Sequence, residues 1–282
     1  MKQRILTAIV GIAVLLLAIW KINTVVFVAA IAIACVFISL EVLSAVKTKN
    51  KPFKAINAVF AGSVPFLFGF EPIQRFKLLA IVSFVFLLVM SCILLKDHKN
   101  IRFKMFTAGV FGSFVVPLCL STIIRIGNPN PFFNSTYTYM QGIYMTVFAF
   151  CCAWLTDAFA YFVGSKFGKH KMCPKISPKK SVEGAVGGFV LSIIFNGAIY
   201  LLVDKFVCSL DNIPFAAILV LSGVCAALSM IGDLTASVIK RDCGIKDFGN
   251  IMPGHGGMLD RFDSCIFVFP AVYFTLSAQY MF

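Results

Sequence analysis

Long apolar runs, separated by short basic segments, dominate the chain. A helix needs about 20 predominantly apolar residues to cross the hydrocarbon core of a bilayer. The runs predict nine such helices, at roughly 5–20, 24–40, 56–70, 78–95, 105–124, 139–163, 184–203, 213–236 and 264–282. The alternation of polar and apolar residues that marks a transmembrane barrel is missing. The third run is short and contains Pro65, which predicts a broken or tilted span. The first run follows Lys2 and Arg4 in the manner of a signal peptide. It lacks a small-residue cleavage site, and a second run follows Lys21-Ile22-Asn23 at once, so an uncleaved helix is expected. No internal repeat is visible. The pattern predicts an all-α polytopic integral membrane protein.

Composition agrees. Of 282 residues, 60% are apolar and only 13% charged, whereas soluble domains sit near 45–50% and 25%. That balance excludes an ordinary soluble enzyme, a disordered protein and a coiled coil. The net charge of +13 has its simplest origin in basic cytoplasmic loops beside anionic lipid. With no basic stripe interleaved with aromatics, nucleic acid is not an expected partner. With nine spans and a cytoplasmic N-terminus, 20 Lys and Arg residues fall on the cytoplasmic side and five on the other. This positive-inside split predicts a C-terminus outside. The ten cysteines form no CxxC pair and lie mostly in apolar runs, so neither a disulfide framework nor a zinc site is expected.

Two regions differ in content. Residues 1–135 show hydrophobic helices and no interpretable polar cluster. Residues 136–282 carry the chemistry, most of it in the cytoplasmic loops 164–183 and 240–263. Asp157 and Asp233 are acids in apolar surroundings, where a carboxylate is expensive and commonly functional; the alternative is that both reach interfacial water. Asp233, Ser237 and Lys240/Arg241 follow helical spacing, with a carboxylate deep and two cations at the mouth. In the segment from Lys246-Asp247 to Asp263, Gly249, Gly254, Gly256 and Gly257 surround Pro253 and His255. Glycines let a backbone turn sharply and present N–H groups to an anion. Asp260 and Asp263, three apart, share a face if a helix has begun there. Paired carboxylates beside basic residues suit a Mg²⁺–phosphate site. In the other loop, Ser177, Lys179, Lys180 and Ser181 fit a basic wall for phosphates, although positive-inside topology accounts for some of its six lysines. Three histidines, no HExxH and no GxSxG argue against soluble-hydrolase chemistry.

These residues resemble a known signature. The pattern Ser237-x-Ile239-Lys240-Arg241-x4-Lys246-Asp247-x-Gly249-x2-Met252-Pro253-x-His255-Gly256-Gly257-Met258-x-Asp260-Arg261-Phe262-Asp263 is similar to that of the phosphatidate cytidylyltransferase (CDP-diacylglycerol synthase) family. Met252 departs from it by a mild apolar exchange. Asp157 to Gly164, Ile176 to Gly184 and Gly232-Asp233-Leu234 also resemble the family. The likeness covers residues 157–264 well, and the N-terminal half only in being hydrophobic.

The resemblance implies an integral membrane enzyme of the cell membrane, with its site facing the cytoplasm. It would condense CTP with phosphatidate drawn from the surrounding membrane lipids, giving CDP-diacylglycerol and pyrophosphate, with Mg²⁺ required. Asp233, Asp260 and Asp263 would be metal ligands. Lys240, Arg241, Lys246, His255 and Arg261 would be catalytic, phosphate-side groups, and Asp247 would also be catalytic. Asp157 would serve the nucleotide or a second metal ion. Ser177, Lys179, Lys180, Ser181, Ser237, Gly256 and Gly257 would bind substrate. A homodimer is compatible with the sequence. Two rival readings remain: a CTP-dependent polyprenol or phytol kinase, which would release CDP, and a secondary transporter using its intramembrane acids.

Overall fold

A computed structural model describes residues 11, 13–69, 73–127, 138–251 and 256–279. Residues 13–20 are helical (α1). There follow α2 (Val25–Ala45), α3 (Lys51–Gly69), α4 (Ile73–Lys96) and α5 (Phe103–Val110). A π-helical turn, Phe111–Val115, joins α5 to α6 (Val116–Gly127). Then come α7 (Tyr139–Phe167), strands β1 (Lys171–Cys173) and β2 (Ser177–Ser181), α8 (Val182–Phe206), α9 (Phe215–Asp242), the short α10 (Leu259–Phe262) and α11 (Cys265–Gln279).

Among the described residues six helices are long and apolar enough to cross a membrane: Val25–Ala45, Lys77–Lys96, Phe103–Gly127, Tyr139–Phe167, Val182–Phe206 and Phe215–Asp242. Of the expected run at 5–20, residues 5–10 and 12 lie outside the described residues, and 13–20 are helical. The run at 56–70 belongs to α3, whose first turns carry Lys51, Lys54 and Asn57 and dilute its hydropathy. Pro65 sits inside α3 without ending it, as membrane helices allow when neighbours compensate for the missing N–H. Among the described residues of the last run, the helix covers Cys265–Gln279, 15 residues. The chain is an all-α polytopic membrane protein with one departure. Within the loop at 164–183, β1 and β2 pair antiparallel, with Lys171 opposite Ser181 and Cys173 opposite Ser177.

The chain forms two compact units. The first takes the chain up to Ile124 and returns for Asp242–Phe262. Its core packs Leu43, Phe53, Phe60, Val64, Phe86, Met90 and Ile101, with the rings of Phe60 and Phe86 stacked at 3.9 Å. A buried polar chain runs through it. Ser39 and Ser113 hydroxyls meet at 2.8 Å, Ser113 donates to Asn57 Oδ1 at 2.8 Å, and Asn57 Nδ2 donates to the Phe53 carbonyl. Ser113 sits at the middle of the π-helical turn.

The second unit holds Arg125–Arg241 and continues from Asp263. Thr138 caps α7 reciprocally with Gln141, and Ser181 caps α8 by accepting the Gly184 N–H. Helices α7 and α8 pack along much of their length. Lipid offers little hydrophobic drive for helix association, so close approach and interhelical hydrogen bonds must hold such a pair. Both are present: a Cβ at Gly184 would lie 2.6 Å from the Ala160 carbonyl oxygen, and Thr156 Oγ1 donates to Ser192 Oγ at 3.0 Å. On the outer side of α8, Val190, Ile194 and Leu201 are exposed where lipid would meet them.

Candidate functional site

Three acids converge in the second unit. Asp157 stands on α7, Asp233 on α9, and Asp263 in the turn that precedes α11. Lys180, from β2, is ion-paired with Asp233 and lies 4.0 Å from an oxygen of Asp157. Side chains alternate along a strand, so the hairpin separates two adjacent lysines: Lys180 turns toward the acids while Lys179 is exposed. Ser264 ties the remaining pair. Its hydroxyl donates to Asp157 Oδ2 at 2.9 Å, and its backbone N–H donates to Asp263 Oδ1 at 2.8 Å.

Asp263 lies outside the helices and is 7% exposed. Burial, then the charges of Asp233 and Asp157, push its carboxyl up to about 8, against the opposing pull of the Ser264 N–H and of Lys240. Fully ionised, the three acids of the cluster would carry more negative charge than Lys180 and Lys240 neutralise. Its donors are hard carboxylate oxygens, the type Mg²⁺ prefers. Among the described residues no three His, Cys, Asp or Glu side chains are grouped closely enough to hold a metal ion on their own. Mg²⁺ does not demand such a group, because one or two carboxylates completed by substrate phosphates and water usually suffice. The chemistry of this donor set fits the ion.

Of the signature, Asp242–Phe262 lies in the first unit, and Ser237 to Arg241 and Asp263 lie in the second. Asp260 is buried, and its Oδ2 accepts the backbone N–H groups of Phe248 at 2.8 Å and Gly257 at 2.9 Å. Gly256 has φ +85°, which L side chains rarely adopt, and a Cβ there would lie 2.9 Å from the same Asp260 oxygen. Lys246, Asp247 and Arg261 are exposed. Met252–His255 lie outside the described residues, His255 with them.

Asp260 and Asp263 do not share a face of one helix. Helix α10 ends at Phe262. The Asp263 carboxylate takes the next residue's N–H, a local bond that competes with helix continuation. The two acids fall in different units. The stripe on α9 is likewise divided. Ser237 and Lys240 are buried, whereas Arg241 is exposed and donates through Nε to the Ile176 carbonyl at 3.3 Å. Ser177 opens β2, and Ser181 is spent on capping α8.

Residues 1–135, where the sequence shows no interpretable polar cluster, carry buried polar contacts in the structure. Besides the Ser39–Asn57–Ser113 chain there is Glu41, 5% exposed on α2, which accepts the N–H groups of Met258 and Leu259 at 2.8 and 2.9 Å. The signal was present: Glu41 is the one acid within Val25–Ala45, and the rule that singled out Asp157 applies to it equally. Ending the span at residue 40 placed Glu41 in a solvated loop, but α2 runs on to Ala45. Ser264 was missed because a serine beside an acid carries no pattern of its own.

Comparison with known proteins extends the picture beyond the signature. A family model described as the cytidylyltransferase family matches residues 2–279. The phosphatidate cytidylyltransferase of Staphylococcus haemolyticus is 32% identical over 273 residues, 96% of each chain. That of Bacillus subtilis is 30% identical over 279 residues, 98% of each. That of Staphylococcus saprophyticus reaches 36% over 198 residues, 70% of this chain and 68% of the relative. Signature, acid cluster and end-to-end likeness agree: the chain belongs to the cytidylyltransferase family.

Proposed function

We propose that this protein is a phosphatidate cytidylyltransferase, condensing CTP with phosphatidate to give CDP-diacylglycerol and pyrophosphate. The observation that carries this reading is the match to two relatives of that name along 96 to 98% of each chain. A phosphate oxygen of phosphatidate forms a bond to the α-phosphorus of CTP, and the bond from that phosphorus to the bridging oxygen breaks, releasing pyrophosphate. The attacking oxygen is already anionic at neutral pH, so no strong general base is needed. The difficulty is bringing two polyanions together.

The acid cluster and its lysines suit that difficulty. Asp233 and Asp263 would hold a divalent cation, with Asp157 beside them. A bound Mg²⁺ would supply charge neutralisation and a template for the phosphates. Lys180 and Lys240, placed among the carboxylates, balance charge as phosphates arrive. Arg241, Lys246, His255 and Arg261 are assigned to phosphate oxygens on the strength of the signature, Lys179 as part of the basic wall, and Asp247 is counted as catalytic without a phosphate contact. Gly256 and Gly257 let backbone N–H groups approach an anion. Titrating Mg²⁺ into D260N tests the sequence expectation that Asp260 is a third ligand. The finer topology proposed is nine spans, N-terminus and active site on the cytoplasmic side of the cell membrane, supported by the 20-to-five division of basic residues.

The test uses purified protein in lipid nanodiscs with labelled CTP, phosphatidate and Mg²⁺. Stoichiometric pyrophosphate and labelled CDP-diacylglycerol are expected. Release of CDP with phosphorylation of a lipid alcohol would replace this reading with the kinase.

A further inference from the structure

Glu41 has no place in the chemistry described so far, yet it is among the most constrained acids in the chain. It is 5% exposed on a membrane-spanning helix. Desolvating a carboxylate costs several kcal/mol in a protein interior. Two charge-assisted hydrogen bonds from the Met258 and Leu259 N–H groups offset that cost, one to each oxygen. The carboxylate also serves as a packing surface. A Cβ at Gly249 would lie 2.5 Å from Glu41 Oε1, and one at Gly257 would lie 2.6 Å from both oxygens. Backbone from two stretches of the signature segment thus rests against one side chain of α2. Asp260 closes the arrangement from within by joining the Phe248 and Gly257 N–H groups.

We propose that Glu41 is a positioning residue for the reaction: its carboxylate seats the signature segment at Gly249 and Gly257 and sets the orientation of Asp260 and Arg261. This rests on the reading that the signature serves the CTP phosphates. Among the described residues of the segment, Glu41 bonds to backbone N–H groups and to no side chain. Its removal should therefore loosen nucleotide handling and leave the lipid side untouched. An alternative role, holding α2 to the rest of the unit, would alter stability and both substrates together.

The experiment measures steady-state pyrophosphate release by E41A, E41Q, G249A and the E41A/G249A pair in nanodiscs, with thermal unfolding followed in parallel. E41A is expected to lower kcat/KM for CTP about 50-fold, with KM for phosphatidate within about twofold of wild type and an unchanged unfolding midpoint. E41Q keeps one acceptor oxygen and turns an NH₂ toward the second N–H, so its loss should be intermediate. G249A drives a methyl group into the carboxylate and should reproduce much of the E41A defect. In the E41A background that methyl has room, so the pair should be no worse than E41A alone. Wild-type kinetics in E41A would overturn the proposal, as would additive losses in the pair, or both KM values moving together with a lowered midpoint. A wild-type protein that releases no pyrophosphate would overturn the parent reading as well. An active wild type with an indifferent E41A overturns only the role of Glu41.

Discussion

Asp260 and Asp263 stand three positions apart and live in opposite electrostatic settings. Two backbone N–H groups converge on one oxygen of Asp260, which has an acid, Glu41, within electrostatic reach. Asp263 is buried beside Asp233 and Asp157, and burial first, then their charges, push its carboxyl up to about 8. The first arrangement is content without any added charge and shapes a turn. The second is unfavourable until a cation or a proton arrives, which is how a binding site differs from a scaffold. Similar residues in one short signature can therefore divide the work, one holding the backbone and the other holding charge in reserve.

The sharpest way to break this comparison is to neutralise the crowded side. D263N and D233N should each lower turnover by about 10³-fold, near 4 kcal/mol of transition-state stabilisation, with membrane insertion intact. Residual activity within tenfold of wild type, measured as pyrophosphate release over a Mg²⁺ titration, would remove these carboxylates from the cation site. D260N keeps an oxygen for the two N–H groups while losing its charge. Its turnover should fall about 100-fold, with a stability change below about 1 kcal/mol. Normal turnover in D260N would reduce Asp260 to an anchor alone.

Stability separates the two acids further. A raised carboxyl stabilises the folded state while protonated. That contribution is complete below the ordinary Asp range and is lost as pH rises toward about 8. With a chelator present, the wild-type unfolding midpoint should decline across that window, and the D263N midpoint should not. A parallel decline in D263N would assign the pH dependence elsewhere. Packing in the same unit supplies two smaller effects. G184A forces a methyl group against the Ala160 carbonyl and should cost about 1–3 kcal/mol. T156A removes a single interhelical hydrogen bond and should cost about 0.6 kcal/mol. Both are readable by unfolding in detergent, and a larger loss in T156A than in G184A would reverse the importance given to close approach.

Much of this was legible in the residues. Unbroken apolar runs announce a membrane protein, because few other folds can satisfy so much buried backbone in lipid. Asp157, Asp233 and Lys180 each stand out locally, yet nothing in their spacing says that a strand and two helices bring them together. The hairpin was hidden because lysine-rich Ser177–Ser181 carries no alternation of apolar and polar residues. Glu41 was hidden by a boundary: five more residues of helix move it from solvent to the interior. Asp263 was misplaced because a side chain taking its neighbour's N–H outweighed the helical spacing.

The π-helical turn at Phe111–Val115 carries a consequence for engineering. It absorbs an additional residue within the span Phe103–Gly127 while keeping the azimuth of what lies beyond it. Deleting one residue there would restore an ordinary α-helical pitch and leave Val116–Gly127 facing nearly as before, whereas a deletion in the regular helix after it would swing the remainder by about 100° about its own axis. Side chains such as Ile123 and Ile124, now wholly interior, would in that second case rotate toward the acyl chains. A single-codon deletion within the π-helical turn should therefore be far less damaging than the same deletion at the start of Val116–Gly127.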